Sequence, residues 1–246
     1  MDKLTEVDEL LDMLNRLRPL PPHTVKSLHE QLVLEWTYNS NAIEGNTLTL
    51  KETKVVLEGI TIGGKSMREH FEAINHKEAI EYVAAVVANN EPLTEHLIKS
   101  IHQLVLKNIE PDHAGVYRRE SVLISGADHI PTDHFLLPEQ MEKLLTSYHE
   151  FSGHPLERAA RLHTDFVKIH PFVDGNGRTA RLLMNLDLMR SGLLPIIIKA
   201  ADRLAYYGAL DKAHTKNEYD DFLRLSATAE VDALEKTLAL VGEAKP

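Results

Sequence analysis

The stretch of sequence that says most about this chain runs from His170 to Arg181 and reads HPFVDGNGRTAR. Apolar residues recur at helical spacing on both sides of it, so it predicts a loop that leads into the N-terminus of a helix. Two glycines around Asn176 let backbone N–H groups turn toward one point, and the following helix adds the positive end of its dipole. The stretch therefore predicts an anion site, with phosphate as its ligand.

The charged residues of this stretch extend the prediction from a phosphate to a nucleotide. Arg178 and Arg181 stand three residues apart on the first turn of the predicted helix, where both guanidinium groups can hold phosphates. Asp174 would repel a polyphosphate unless a cation lay between them, and Mg²⁺ binds through one or two carboxylates together with substrate phosphates. His170 has an ordinary pKa near neutrality and suits a general base. Together these side chains favour attack by a hydroxyl group on phosphorus.

A purely structural interpretation of the same stretch is that the glycines supply a turn, His170 caps the preceding helix and the arginines are solvated. The functional interpretation is favoured because one His, one Asp, one Asn, two Gly and two Arg fall within these consecutive positions. Neither a Walker pattern nor a GxGxxG pattern competes with it as a phosphate site.

The rest of the chain predicts an all-α fold, because apolar residues mostly recur at helical spacing. Two capping boxes mark helix starts, one formed by Thr49 and Glu52 and the other by Ser66 and Glu69. No internal repeat and no low-complexity linker interrupts the pattern.

The predicted organisation is one domain with a short extension. Residues 1–22 are expected to form an N-terminal helical extension, and residues 23–246 the domain itself. Within that domain the pattern predicts a helix over residues 24–45 that ends at Gly45.

One segment departs from the helical pattern. Val122, Leu123 and Ile124 face Ile130 across the sequence Ser-Gly-Ala-Asp, which has the composition of a hairpin turn. This segment predicts a small β-hairpin on the surface of the domain.

Composition excludes several classes of function. The 246 residues include 27 Lys and Arg against 37 Asp and Glu, a net charge of −10, so nucleic acid is not an expected partner. Without cysteine there is no disulfide, thiolate nucleophile or CxxC zinc site. No signal peptide or membrane-spanning stretch is visible, which predicts a cytoplasmic protein with no membrane partner. Most histidines other than His170 are expected at the surface.

The stretch from His170 to Arg181 resembles the signature of the Fic family, HxFx[DE]GNGRxxR, and matches it at every fixed position. The resemblance extends from about Tyr38 to Phe222. It implies a Fic-type helical bundle with a small β-hairpin flap, and an enzyme that transfers AMP from Mg-ATP to a Ser, Thr or Tyr hydroxyl of a protein, itself included. Related Doc-type proteins transfer phosphate, but their motif lacks the second arginine, so Arg181 favours AMP transfer. Homodimers are also common in the family.

The resemblance implies roles for particular residues. His170 would be the catalytic base and Asp174 the metal ligand. The backbone of Gly175, Asn176 and Gly177 would form the anion hole. Arg178 and Arg181 would bind the phosphates. Other positions resemble the family's adenine pocket, namely Tyr206, Tyr207 and Asn217, and its target-docking flap, namely Val122, Leu123, Ile124 and Ile130. A rival of another class is a catalytically quiet Fic-fold nucleotide sensor that acts through a partner. The intact His170 favours the enzyme.

A second motif, Ser40-Asn41-Ala42-Ile43-Glu44-Gly45, resembles the family's inhibitory pattern [ST]xxxE[GN]. Ser40 and Glu44 are four residues apart and share a helix face that ends at Gly45. The alternative is a helix-end glutamate in solvent. A carboxylate reaching Arg181 would compete with the γ-phosphate and lower turnover more than nucleotide affinity. In some relatives the same glutamate orients a water that removes AMP from the target, so de-AMPylation is left open.

Overall fold

The computed structural model describes residues 3–242, which form ten α-helices joined by loops and two short 3₁₀ turns. No strand occurs within these residues, and none of their helices is long and apolar enough to cross a membrane. The helices are α1 (Lys3–Arg16), α2 (Pro22–Ile43), α3 (Leu50–Leu57), α4 (Met67–Ala88), α5 (Glu95–Leu106), α6 (Leu137–Glu150), α7 (Pro155–Ile169), α8 (Asn176–Arg190), α9 (Arg203–Lys216) and α10 (Asp220–Gly242).

Helix α8 lies at the centre of the fold. Twelve of its 15 residues are buried, and it packs against α2, α4, α5 and α7. A helix that is buried on all sides has no solvent-facing stripe, so its polar residues must find partners inside the protein. The N-terminus of α8 is therefore held rigidly by its neighbours, and this is where the predicted anion site lies.

The predicted helix starts at two capping boxes are confirmed. The side chains of Thr49 and Ser66 accept hydrogen bonds from the backbone N–H groups of Glu52 and Glu69, and both glutamates bond back to the cap residues. The long helix predicted to end at Gly45 is also present as α2, with Gly45 in the left-handed region at φ +98°.

The N-terminal helix α1 packs against α10 and buries Val7 and Leu14 completely. The next helix begins at Pro22, where proline is favoured because the first N–H groups of a helix have no partner. The division of the chain into residues 1–22 and 23–246 stays a prediction.

The predicted β-hairpin is wrong. Val122, Leu123, Ile124 and Ile130 lie in irregular backbone, and Leu123 and Ile130 are 81% and 80% exposed. A two-stranded hairpin is marginal in water unless a third strand or a helix covers one face. Here the apolar residues find no such cover, and the ends of the segment are held by a side chain, Arg118, instead of a strand ladder.

Glu230 in α10 gives the fold a distinctive pH dependence. Its Oε1 accepts a hydrogen bond of 2.8 Å from the backbone N–H of Leu194. Burial raises the pKa of Glu230 from 4.5 to about 8, although the Leu194 N–H acts in the opposite direction. Between these two pKa values the folded chain binds a proton that the unfolded chain releases, so the free energy of unfolding falls as pH rises.

We expect Glu230→Gln to remove this contribution, because an amide does not titrate. Urea unfolding between about pH 5 and pH 8 should show the variant gaining stability relative to wild type as pH rises. Glu235→Gln, an exposed position on the same helix, is the matched control. Identical pH dependence in both variants would contradict this assignment.

Candidate active site

The loop between α7 and α8 turns sharply at both ends. His170, which caps α7, has φ +53°, and Gly175, which precedes α8, has φ +76°. A Cβ atom on Gly175 would lie 3.2 Å from Val105 Cγ1 and 3.3 Å from His102 Nε2, in a conformation that only glycine adopts without strain. The loop is thus fixed at two points between two packed helices.

Asn176 shapes the loop through its side chain. Its Oδ1 accepts a 3.0 Å hydrogen bond from the backbone N–H of Phe172, and its Nδ2 donates one of 2.8 Å to the carbonyl of Phe172. This reciprocal pair fixes the backbone of Phe172 and does not use the backbone N–H groups at the start of α8. Because the first N–H groups of a helix lack intrahelical acceptors, the N-terminus of α8 can bind an anion.

His102 on α5 holds the same loop through hydrogen bonds of its ring, a role not predicted from the sequence. Its Nδ1 accepts from the backbone N–H of Gly115 at 2.8 Å, so the proton must lie on Nε2, which donates to the carbonyl of Asp174 at 2.8 Å. Burial lowers the pKa of His102 to about 4 and keeps the ring neutral. Its ring stacks on Phe172 with centroids 3.6 Å apart.

Of the thirteen histidines other than His170, eight are not buried, in line with the expectation that most lie at the surface, and five are buried. The buried histidines are His70, His76, His102, His163 and His214. In the case of His102 the sequence carries a signal, because Ile98 and Val105 place it on the apolar face of its helix.

Asp174 lies where positive groups converge. Its Oδ1 accepts from the backbone N–H of Gly175 and from Arg178 Nη2 at 3.1 Å, and its Oδ2 accepts from Arg68 Nη2. Burial alone would raise the pKa of Asp174, but Arg178, Arg68 and the Gly175 N–H outweigh it and lower that pKa. The carboxylate is therefore charged at neutral pH. Arg178 itself is buried and also faces Glu72, with 3.5 Å between Nη1 and Oε1.

His170 is a half-buried imidazole at the edge of this cluster. Burial lowers its pKa to about 4, with help from the positive charge of Arg118 and from nearby His129. A backbone interaction with Val167 and the charge of Glu44 act in the opposite direction and are outweighed. The ring is neutral at pH 7 and can accept a proton.

Arg181 is buried within a set of oxygen atoms. Its Nε donates to Ser40 Oγ at 3.0 Å, its Nη1 to Tyr206 Oη at 3.1 Å, and its Nη2 to the Ser40 carbonyl at 2.8 Å and to Glu44 Oε1 at 2.7 Å. Glu44 reaches Arg181 across Gly177, where a Cβ atom would lie 2.3 Å from Glu44 Oε1. The structure thus brings the two motifs together, although they are far apart in sequence.

The three remaining residues of the predicted pocket lie in different surroundings. Tyr206 is buried and its Oη also contacts His163 Nε2 at 3.2 Å. Tyr207, partly exposed, donates to the carbonyl of Ile43 at 3.1 Å, at the end of α2. Asn217 follows the C-terminal end of α9 with φ +59°, and its Oδ1 accepts from Lys168 Nζ at 3.4 Å.

This arrangement combines a helix N-terminus, two buried arginines, a charged carboxylate and a neutral imidazole. The first two can bind a polyphosphate, the third suits a divalent cation, and the last can accept a proton from a nucleophile. These groups suit transfer of a phosphorus-containing group to a hydroxyl.

Comparison with known proteins agrees with this chemistry. The Fic/DOC family profile matches residues 92–188. The "Protein adenylyltransferase Fic" of Nematostella vectensis is 37% identical over 247 residues, which cover 97% of this chain and 56% of that protein. The chain spans about half the length of the curated relatives it matches.

Two solved structures share the fold along nearly the whole chain. A Fic domain containing signaling protein from Bacteroides thetaiotaomicron superposes with a TM-score of 0.90 at 29% identity, covering 98% of both chains. A fragment of Fic-1 from C. elegans superposes with a TM-score of 0.89 at 30% identity, covering 99% of this chain and 73% of that one.

Proposed function

This chain belongs to the Fic family, and on that premise we propose that it transfers AMP from ATP to a hydroxyl side chain of a target protein. The observation that carries the proposal is the neutral imidazole of His170 beside an anion site that includes two buried arginines. Relatives named protein adenylyltransferase support the same reaction.

In the proposed reaction each group has a defined task. The N–H groups at the start of α8 and the guanidinium groups of Arg178 and Arg181 bind the triphosphate and orient the α-phosphorus. His170 takes the proton of the target hydroxyl as its oxygen bonds to that phosphorus. The bond between the α-phosphorus and the bridging oxygen breaks, and pyrophosphate leaves. Catalysis here is mainly positioning and electrostatic stabilisation.

Asp174 is the proposed ligand for Mg²⁺. Among residues 3–242 no group of three or more His, Asp or Glu side chains could hold a metal by itself. That fits Mg²⁺, which is usually bound by one or two carboxylates with substrate phosphates supplying further oxygens. When bound, the ion would neutralise phosphate charge beside Asp174.

Arg68 now occupies one oxygen of that carboxylate, so it should compete with the metal. Arg68 is exposed and also pairs with Glu72 and Glu110, each at 3.3 Å, which can hold it after displacement. We expect Arg68→Gln to tighten Mn²⁺ binding roughly 2- to 5-fold, because a partly exposed ion pair is worth little.

Electron paramagnetic resonance of free Mn²⁺, titrated with a non-hydrolysable ATP analogue present, measures this affinity directly. Arg16→Gln, an exposed position on α1, is the control. Equal affinity in wild type and Arg68→Gln would show that Arg68 does not compete.

We further propose that Glu44 and Ser40 inhibit the enzyme. Both hold Arg181 by hydrogen bonds, so the γ-phosphate would have to displace Glu44 to reach this guanidinium. De-AMPylation by a water oriented on Glu44 is a second activity that the same geometry allows.

The remaining proposals concern target and base recognition. The segment with exposed Leu123 and Ile130, together with Val122 and Ile124, is proposed to bind an extended target segment. The two segments would pair through their backbones, as neighbouring strands do. Tyr207 and Asn217 are proposed to enclose adenine. Tyr206, being buried against Arg181, would act on that pocket through the arginine.

The transfer itself is tested by comparing ATP labelled at the α-phosphate with ATP labelled at the γ-phosphate. Protein in a cytosolic extract should acquire the α-label and not the γ-label when the chain and Mg²⁺ are added. Acquisition of the γ-label would indicate phosphate transfer. Binding of ATP with no label transferred would favour the nucleotide sensor.

A further inference from the structure

Arg118 joins the candidate base to both ends of the segment that carries the proposed docking residues. Its Nε donates to the carbonyl of His170 at 2.9 Å and its Nη1 to the carbonyl of Glu120 at 2.8 Å, while its Nη2 donates to the carbonyl of Thr132. Its own backbone N–H donates to the carbonyl of Pro171 at 3.0 Å. One residue therefore makes four bonds to four separate backbone carbonyls.

The environment of this guanidinium is unusual for a buried arginine. Arg118 is 3% exposed, and within the described part of the chain no carboxylate lies within 4 Å of its guanidinium. Burial lowers the pKa of Arg118, and the more distant charge of Asp133 acts in the opposite direction. A buried charge that no carboxylate contacts directly is costly, and backbone carbonyls offset that cost only when the planar fork is held in one geometry. The contacts on Arg118 are thus specific for arginine.

We propose that Arg118 is a positioning residue whose single guanidinium group supports both target docking and the orientation of His170. This inference rests on the proposed function. The carbonyls of Glu120 and Thr132 are held on one guanidinium, so the loop between them has its ends fixed before a target arrives. The same guanidinium holds the carbonyl of His170, which fixes the backbone from which the imidazole projects.

Two effects on the reaction follow. Fixed loop ends reduce the entropy lost when residues 121–131 pair with an extended target, so removing Arg118 should raise the apparent KM for the target. A fixed carbonyl keeps His170 oriented, so removal of Arg118 should also lower kcat. Burial is the main cause of the low pKa of His170, and the charge of Arg118 adds to it, so removal should raise that pKa as well. The other charged or titratable groups that act on that imidazole are His129, His214 and Glu44.

The test compares Arg118→Met, Arg118→Lys and Arg119→Met, all in the Glu44→Gly background. Arg119 is the exposed neighbour in the same segment and serves as the matched control. Lysine keeps the charge but carries its donors on one nitrogen instead of a planar fork, so it separates the effect of the charge from that of the fork.

Two measurements need no enzymatic activity. Amide hydrogen exchange over residues 121–131 should accelerate in both Arg118 variants and not in Arg119→Met. The pKa of His170, followed by NMR, should rise in Arg118→Met and stay low in Arg118→Lys.

A third measurement follows the reaction. Transfer of the α-label to cytosolic extract should fall roughly 10- to 100-fold in Arg118→Met, with binding of a fluorescent ATP analogue unchanged.

The proposal is overturned if Arg118→Met matches Arg119→Met in exchange of residues 121–131 and in the pKa of His170. It is also overturned if label transfer by the two variants is equal. Should the Glu44→Gly parent transfer no label, the proposed function fails, whereas the exchange and titration results still decide whether Arg118 organises the loop. If Arg118→Met does not fold, Arg118→Lys supplies the exchange and labelling comparisons.

Discussion

Glu44→Gly is expected to raise transfer of the α-label from ATP to protein by roughly 10- to 100-fold. The variant removes the carboxylate that receives a 2.7 Å hydrogen bond from Arg181 and leaves this guanidinium for the γ-phosphate. A hydrogen bond between charged groups is worth about 1.5–3 kcal/mol, and about 1.4 kcal/mol corresponds to a tenfold change in rate. Initial rates with cytosolic extract as acceptor measure the effect.

The chain offers a close control for this substitution. Glu58 ends α3 with φ −84° and is followed by Gly59, just as Glu44 ends α2 with φ −83° and is followed by Gly45. Glu58→Gly therefore makes the same change at a helix end whose glutamate is not a partner of Arg181. If Glu44→Gly and Glu58→Gly label equally, the inhibitory role of Glu44 is wrong.

His170→Ala in the Glu44→Gly background is expected to lower label transfer by about 10²- to 10⁴-fold, the range for loss of a general base. Binding of the fluorescent ATP analogue should be retained, because the anion site is formed by α8 and its arginines and not by the imidazole. His96→Ala, an exposed histidine on α5, is the control. Equal labelling by His170→Ala and its parent would contradict the role of His170 as base.

The pH dependence follows from the same residue. A base acts in its neutral form, and the pKa of His170 is lowered to about 4 by burial and by Arg118 and His129. Protonation therefore reduces activity only as pH falls toward that value. The rate of the Glu44→Gly variant should vary little between about pH 6 and pH 8 and fall below about pH 5.

The sequence predicted the helices and the site loop better than the contacts between distant parts of the chain. The loop from His170 to Arg181 could be placed between two helices because periodicity and glycines are local signals. The capping boxes were equally local, and both are present. The hairpin was predicted from an apolar pattern around a turn, but a pattern cannot tell whether another element covers the strands.

The residues that hold the loop could not be found in this way. The contact of His102 with Asp174 spans 72 positions, that of Arg118 with His170 spans 52, and that of Arg68 with Asp174 spans 106. Such contacts depend on tertiary packing and leave no periodic mark. The pairing of Glu44 with Arg181 spans 137 positions, and it was anticipated only because the surrounding motif resembles that of a known family.

The placement of Glu44 has a consequence for how the proposed enzyme responds to its substrate. Asn41 Nδ2 donates to the carbonyl of Glu72 at 3.2 Å, and Tyr207 holds the carbonyl of Ile43, so the end of α2 is anchored beside α8. In its proposed role, Glu44 would be a tethered competitor of the γ-phosphate, and a tethered group acts at a high effective concentration. Raising the supply of ATP would relieve such a competitor poorly. The output of the enzyme would instead follow whatever loosens α2, which makes this helix the place where a regulating partner gains the most control.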